Sequence, residues 1–229
     1  HTTGITTVSQ SNFSSIGVAL STPSGELNAN NIQLETITVG ITSQSSSKVH
    51  VSDITGSNVS LLVDAGNSDE LQISDVDITG DRVLVSNQAT SFEISNLSFA
   101  RTTTHNTPSI DQNCLGVCNL NEIHLSGTSN GIFLSGSGTH KLINVDVSAT
   151  DSAIEATGSG HLSATNLSIS TDNSGITLRG PTSQINGDTT VIITEPSSIG
   201  IDILDSSHHW SNLVIKSPII NKIRPLLGL

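Results

Sequence analysis

The 229 residues contain no methionine and no tyrosine, and only one tryptophan and four phenylalanines. So few rings leave little from which to build the stacking platforms that polysaccharide clefts offer to sugars. Basic residues are scarce too: eight Lys and Arg stand against 20 Asp and Glu, a formal charge of -12. Nucleic-acid binding wants a basic stripe, so that partner is not expected. An acidic surface instead keeps an extracellular protein soluble. No apolar run is long enough to insert in a membrane, and there is no signal-peptide pattern. Without an initiator methionine the chain reads as a processed segment, excerpted from a larger protein.

What is present is a repeat. Short apolar runs alternate with polar residues on both sides of one turn residue, at a spacing of about 22. The turn residues are Asn31, Asp53, Asp75, Asn96, Glu122, Asn144, Asn166, Thr190 and Asn212, with steps of 22, 22, 21, 26, 22, 22, 24 and 22. One position after the turn stand Ile32, Ile54, Val76, Leu97, Ile123, Val145, Leu167, Val191 and Leu213. Three after it stand Leu34, Gly56, Ile78, Phe99, Leu125, Val147, Ile169, Ile193 and Ile215. Polar residues such as Gln33, Asp77 and His124 lie between the two columns. Period two is that of a strand with one buried face, and it excludes a helix. Val76, Val145, Leu167 and Leu213 are therefore expected to be buried in one line.

The alternation also precedes the turn. Ala29, Val51, Ile73, Ile94, Leu120, Leu142 and Ala164 lie two residues ahead; Leu27, Val49, Leu71, Phe92, Cys118, His140 and Leu162 lie four ahead. These columns turn polar near the end, at Asn186 and Asp188. A third strand is seeded by Val18, Ile41, Leu61, Val83, Ile110, Ile132, Ile154, Ile176 and Ile201. Three strands in each of about nine coils describe an all-β fold, a right-handed parallel β-helix. With coils about 4.8 Å apart the rod is roughly 43 Å long. It forms one domain over 1–229, with regular coils over 16–216 and a C-terminal cap or linker at 217–229.

The chain resembles the pectate-lyase-like superfamily of parallel β-helices, whose coils stack an asparagine ladder at a tight turn. Asn31, Asn96, Asn144, Asn166 and Asn212 stand where that ladder would lie, with Asp53 and Asp75 substituting. Asn tolerates the left-handed backbone of a tight bend, and its amide can bond to the coils on either side. The resemblance also implies where an active site would be, on the outer face of one sheet beside a groove. On the third strand the outward residues are Asp111, Phe133, Glu155, Thr177 and Asp202. Asp111 and Glu155 would lie two coils apart, about 9 to 10 Å, compatible with an inverting pair of carboxylates. The Asn-Thr-Asp, Asp-Asp and His-Gly cluster of the polygalacturonase-like members is absent.

Two interruptions break the period. Four extra residues fall within Ala100 to Pro108, a polar segment that reads as an exposed loop, and a smaller excess lies near Pro181 to Thr190. Cys114 and Cys118 flank a Gly-containing bend and are a candidate disulfide, or else two small buried apolar side chains. A zinc site would need His105 and His124 as well, and none is expected. His140 and His208 fall in an inward column, whereas His50 and His209 should face solvent. Adjacent His208 and His209 point to opposite faces and cannot share a metal beside Asp205. Of the sequons, those at Asn96 and Asn166 belong to the ladder; Asn12 and Asn58 remain candidate glycosylation sites.

The expected function is an extracellular structural or adhesive module. It would be a rigid rod in a surface protein, filament or surface layer, without cofactor, meeting copies of itself, other surface proteins or glycans. Its rivals are a polysaccharide-active hydrolase or lyase using Asp111, Glu155 and Asp202, and a phage tailspike-like glycan binder. An ice-binding face is not expected, because the outward columns mix Gln, Thr, Asp, Ser and His. A groove with converging carboxylates would favour the enzyme, and a flat face with dispersed acids the module.

Overall fold

A computed structural model describes residues 4–44, 47–66, 68–180, 182–186, 188–195, 199–203, 208–216 and 223–225. The chain alternates strand and corner along its length. The strands are β1 (Ile5–Ser14), β2 (Val18–Thr22), β3 (Gly25–Ser43), β4 (Ser47–Ala65), β5 (Glu70–Arg101), β6 (Pro108–Gly136), β7 (Thr139–Thr157) and β8 (His161–Thr171). They continue as β9 (Ser174–Arg179), β10 (Thr182–Asn186), β11 (Thr189–Ile193), β12 (Ile199–Ile203), β13 (His208–Trp210), β14 (Leu213–Lys216) and β15 (Ile223–Pro225). Every pairing among the described residues is parallel and joins residues about one coil apart, as in Ile32↔Ile54, Ile54↔Val76 and Val145↔Leu167. The architecture is a parallel β-solenoid.

The turn column explains how one long strand bends without losing its pairing. Asn31, Asp53, Asp75, Asn96, Glu122, Asn144, Asn166 and Asn212 all have φ between 51° and 56°. That left-handed region is costly for most side chains and most accessible to Asn, Asp and Gly. Gln10 takes the same conformation one coil before Asn31. A second corner five residues on is left-handed at Ser15, Thr36, Asn58 and Gly127, and a third at Gly25, Gly136, Gly158 and Gly180.

Side chains pointing inward from these flanks form one continuous core. Val76, Val145 and Leu167 are buried in a single register line, but Leu213, on the same line, is only partly covered. Phe92 and Phe99 are the largest fully enclosed side chains. His140 lies between Cys118 and Leu162 in the line four residues ahead of the turn, as its position in the sequence implied.

The eighth coil and the third strand depart from the expected columns. The eighth turn falls at Asp188 and not at Thr190, since Thr189 pairs with Leu213 and Thr190 with Ser168. Thr189 thus takes the position assigned to Val191, and Val191 that assigned to Ile193. By backbone register Ile185 pairs with Ala164 and Ser183 with Leu162, so these two lines pass through Ile185 and Ser183 instead of Asp188 and Asn186. The third-strand column runs through Leu20, Ile41, Val63, Leu84 and Ile110, displacing Val18, Leu61 and Val83. The second interruption lies after Ile193: the chain takes six positions to reach Ile199 where the preceding coil takes three from Thr171 to Ser174. Pro181, Asp205, the side chain of His208 and nearly all of 217–229 lie outside the described residues.

Some neighbours in the turn column are hydrogen-bonded to one another. Asn96 Nδ2 donates to Asp75 Oδ1 at 2.7 Å, Asn166 Nδ2 to Asn144 Oδ1 at 3.0 Å, and Asp188 N to Asn166 Oδ1 at 3.4 Å. The side chains are exposed, and Asn144 has this one bond instead of a buried pair of them. Asn144→Ala is therefore expected to cost about 1 to 2 kcal/mol, of which roughly 1 is backbone strain. Asn144→Gly, free of that strain, should cost less than half as much. Urea midpoints of the two variants check this, and equal losses would mean that the amide bond outweighs the backbone.

Candidate functional site

The outward column of the third strand does not lie on a flat face. Asp111, Phe133, Glu155, Thr177 and Asp202 all line one open cleft of about 620 Å³. Their order is fixed by backbone register, Val85↔Asp111 at one end, then Phe133↔Glu155, Glu155↔Thr177 and Asp202↔Thr177. Phe133 thus sits between the two carboxylates singled out from the sequence, half-buried with part of its ring open to the cleft. Asp202 follows Glu155 after the same two-coil interval that separates Glu155 from Asp111.

A parallel column forms the other side of the floor, with Asn130 opposite Ser152 and Ser152 opposite Ser174. Asp151 and Asn173 stand at its edge, where Asn173 Nδ2 donates to Asp151 Oδ1 at 2.6 Å. The first interruption supplies one end wall: Asn106 and Pro108 reach the cleft. Asn130 Nδ2 holds this loop by donating to Asn106 O at 2.8 Å, and Asn130 Oδ1 accepts from Ser152 N at 3.2 Å. Carboxylates, amides, hydroxyls and one phenyl ring thus face a common space.

The acids differ in surroundings. Asp111 is ion-paired with Arg82, whose Nη2 lies 3.3 Å from Oδ2, while Arg82 Nε donates to Pro108 O at 3.0 Å. Burial pushes the Asp111 carboxyl above its ordinary range, and Arg82 opposes that shift without cancelling it. Glu155 has only a looser contact, 3.9 Å from Arg179 Nη1. Arg82, Arg179, Asp151, Asn130 and Asn173 were not singled out from the sequence. Asn130 with Ser152, and Asp151 with Asn173, do recur at the coil spacing, so columns beside the outward one carried a legible signal. The arginines, reaching across coils, carried none.

Other candidates fall elsewhere. Cys114 and Cys118 are bonded to each other and buried, so neither is free to ligate a metal with His105 or His124, both of which are exposed. Among the described residues no three His, Cys, Asp or Glu side chains converge as metal ligands, and no helix is long and apolar enough to cross a membrane. Asn12 and Asn58 are exposed, and Asn58 occupies a left-handed corner. Set beside family models, curated proteins and solved structures, the chain matches none of them.

Proposed function

We propose that this chain is an extracellular structural or adhesive module, a rigid rod within a surface protein, filament or surface layer, and that its cleft is where it meets a glycan. The observation that carries this reading is the gathering of carboxylates, amides and hydroxyls around the half-open ring of Phe133, on a stack of paired coils. Polar groups at fixed spacing can bond sugar hydroxyls, and an aromatic face can take a pyranose ring. Asp111, Asp151, Glu155 and Asp202 outnumber Arg82 and Arg179, which disfavours a uronate polymer and favours neutral chains. The Cys114–Cys118 bond suits an oxidising compartment. Within this reading the fold is a right-handed helix of the pectate-lyase-like kind, of non-enzymatic type, with the turn amides as its asparagine ladder.

Two observations favour the enzyme reading: Asp111, Glu155 and Asp202 share a cleft instead of a flat face, and Asp111, two coils from Glu155, is a carboxyl held protonated to higher pH than usual. In an inverting glycosidase the first would be the acid and the second the base. Both readings are decided by one set of assays. The protein is incubated with neutral and acidic polysaccharides, with and without calcium, and followed for retention on immobilised glycans and for new reducing ends or unsaturated products. Retention without cleavage is the expected result. Cleavage abolished by Asp111→Asn or Glu155→Gln would replace the module by the enzyme, and neither retention nor cleavage would remove the glycan from the proposal.

A further inference from the structure

Arg101 ends β5 and stands at the start of the four-residue insertion, where an outward, solvated side chain would be the ordinary outcome for so long a cation. Instead it is only 7% exposed. Both of its side-chain bonds go to the far end of the loop, Nη1 to Thr107 O at 2.6 Å and Nη2 to Thr107 Oγ1 at 3.0 Å. Its Nε is buried without a partner. The guanidinium leaves water for two bonds to a neutral residue and the unbonded attraction of Asp81, with Arg82 repelling it, and burial outweighs that attraction. What it accomplishes is geometric: residues 101 and 107 are tied together, so the loop between them cannot open.

The loop is held at three further points. Thr102 N donates to Gly80 O at 2.8 Å, Asn130 Nδ2 to Asn106 O, and Arg82 Nε to Pro108 O. Asn106 and Pro108 form the end wall of the cleft next to Asp111. Arg82 bonds both the loop and Asp111, so the position of the wall and that of the carboxylate are linked.

We infer that Arg101 is a positioning residue, a clamp that holds the insertion loop as a preformed wall of the cleft without touching a ligand itself. Its bearing on ligand capture rests on the glycan reading; the clamp does not. A wall fixed in advance spares the ligand the cost of ordering six loop residues.

Hydrogen exchange of the loop amides tests the clamp in the free protein. Arg101→Ala should speed exchange about tenfold or more at the hydrogen-bonded amides that bound the loop, Thr102 on Gly80 O among them, since two charge-assisted bonds are lost, while amides of β4 keep their protection. Free guanidinium ion, well below denaturing concentrations, should restore slow exchange in Arg101→Ala and leave the native protein unchanged, which a merely destabilised fold would not do. Should that variant fail to fold, Thr107→Val removes the Nη2 bond alone and should give a smaller acceleration in the same amides. Unchanged loop exchange in the folded variant, or no rescue by guanidinium, overturns the clamp. Cellohexaose serves as the ligand probe: weaker binding to Arg101→Ala than to the native chain extends the clamp to ligand capture, and equal binding overturns that extension. A native chain that binds no member of the glycan panel sinks the glycan reading while loop exchange still decides the clamp.

Discussion

Replacing Phe92 by alanine should lower stability by about 3 to 5 kcal/mol, the usual cost of emptying a ring-sized site in a packed interior. Phe92 is 1% exposed and sits opposite Cys118 in the column that also contains Leu71, His140 and Leu162. Coils above and below fix the spacing of this column through their backbone bonds, so the walls cannot collapse into the space. Phe92→Leu keeps most of the volume and should cost less than half as much. Urea midpoints, with slopes compared to confirm a common unfolded state, measure both. A loss below 1 kcal/mol for the alanine variant would show that the core relaxes as a loosely packed one does.

Acidification should produce the second large effect. His140 is 3% exposed, with Nε2 donating to Ser135 O at 3.1 Å and Nδ1 buried without a partner. Burial lowers its pKa to about 4, against the small opposing effect of the Ser135 bond. The unfolded chain takes up a proton at about pH 6.5, and the folded chain resists doing so until about pH 4. Between those values the unfolded state binds more protons, so stability is full above pH 6.5 and declines as pH falls. The whole loss is about 3 kcal/mol, complete near pH 4. His140→Leu, matching Leu162 in the same column, should remove this decline while leaving that of the surface carboxylates. Parallel pH profiles for the two proteins would refute the assignment.

How far the sequence could be read depended on which physical signal was in play. Turn residues were legible because a left-handed corner restricts the side chain, and Asn31, Asp53 and Asn144 satisfy that restriction. Burial was legible because alternation on a strand separates inside from outside. Register was less so. Reading Thr190 for Asp188, Val18 for Leu20 and Leu61 for Val63 are all slips of two residues, and a slip of two leaves every side chain on the face it had before. Only pairing across coils reveals the error. Val83 for Leu84 is a slip of one, hidden because both side chains are buried.

The cleft shows a similar division. Its outward column could be traced at the coil spacing, and Asp111, Glu155 and Asp202 do share one concave surface. The concavity itself was illegible, because it depends on where a six-residue loop comes to rest. That is set by bonds from Arg82 and Asn130 on other coils and by the local bonds of Arg101 to Thr107, none of which follows from periodicity.

The uniform one-coil pairing also bears on how the chain reaches this shape. Partners such as Ile54 and Val76 or Val145 and Leu167 are separated by roughly a tenth of the chain length, a low relative contact order for an all-β protein. Loop-closure entropy is thus met in small, equal instalments, and no strand waits for a distant partner to be synthesised. Any coil once formed offers a paired edge on which the next can be laid. The slowest step of such growth is expected between β5 and β6, whose pairing at Leu84 and Ile110 needs the loop held by Arg101 to close.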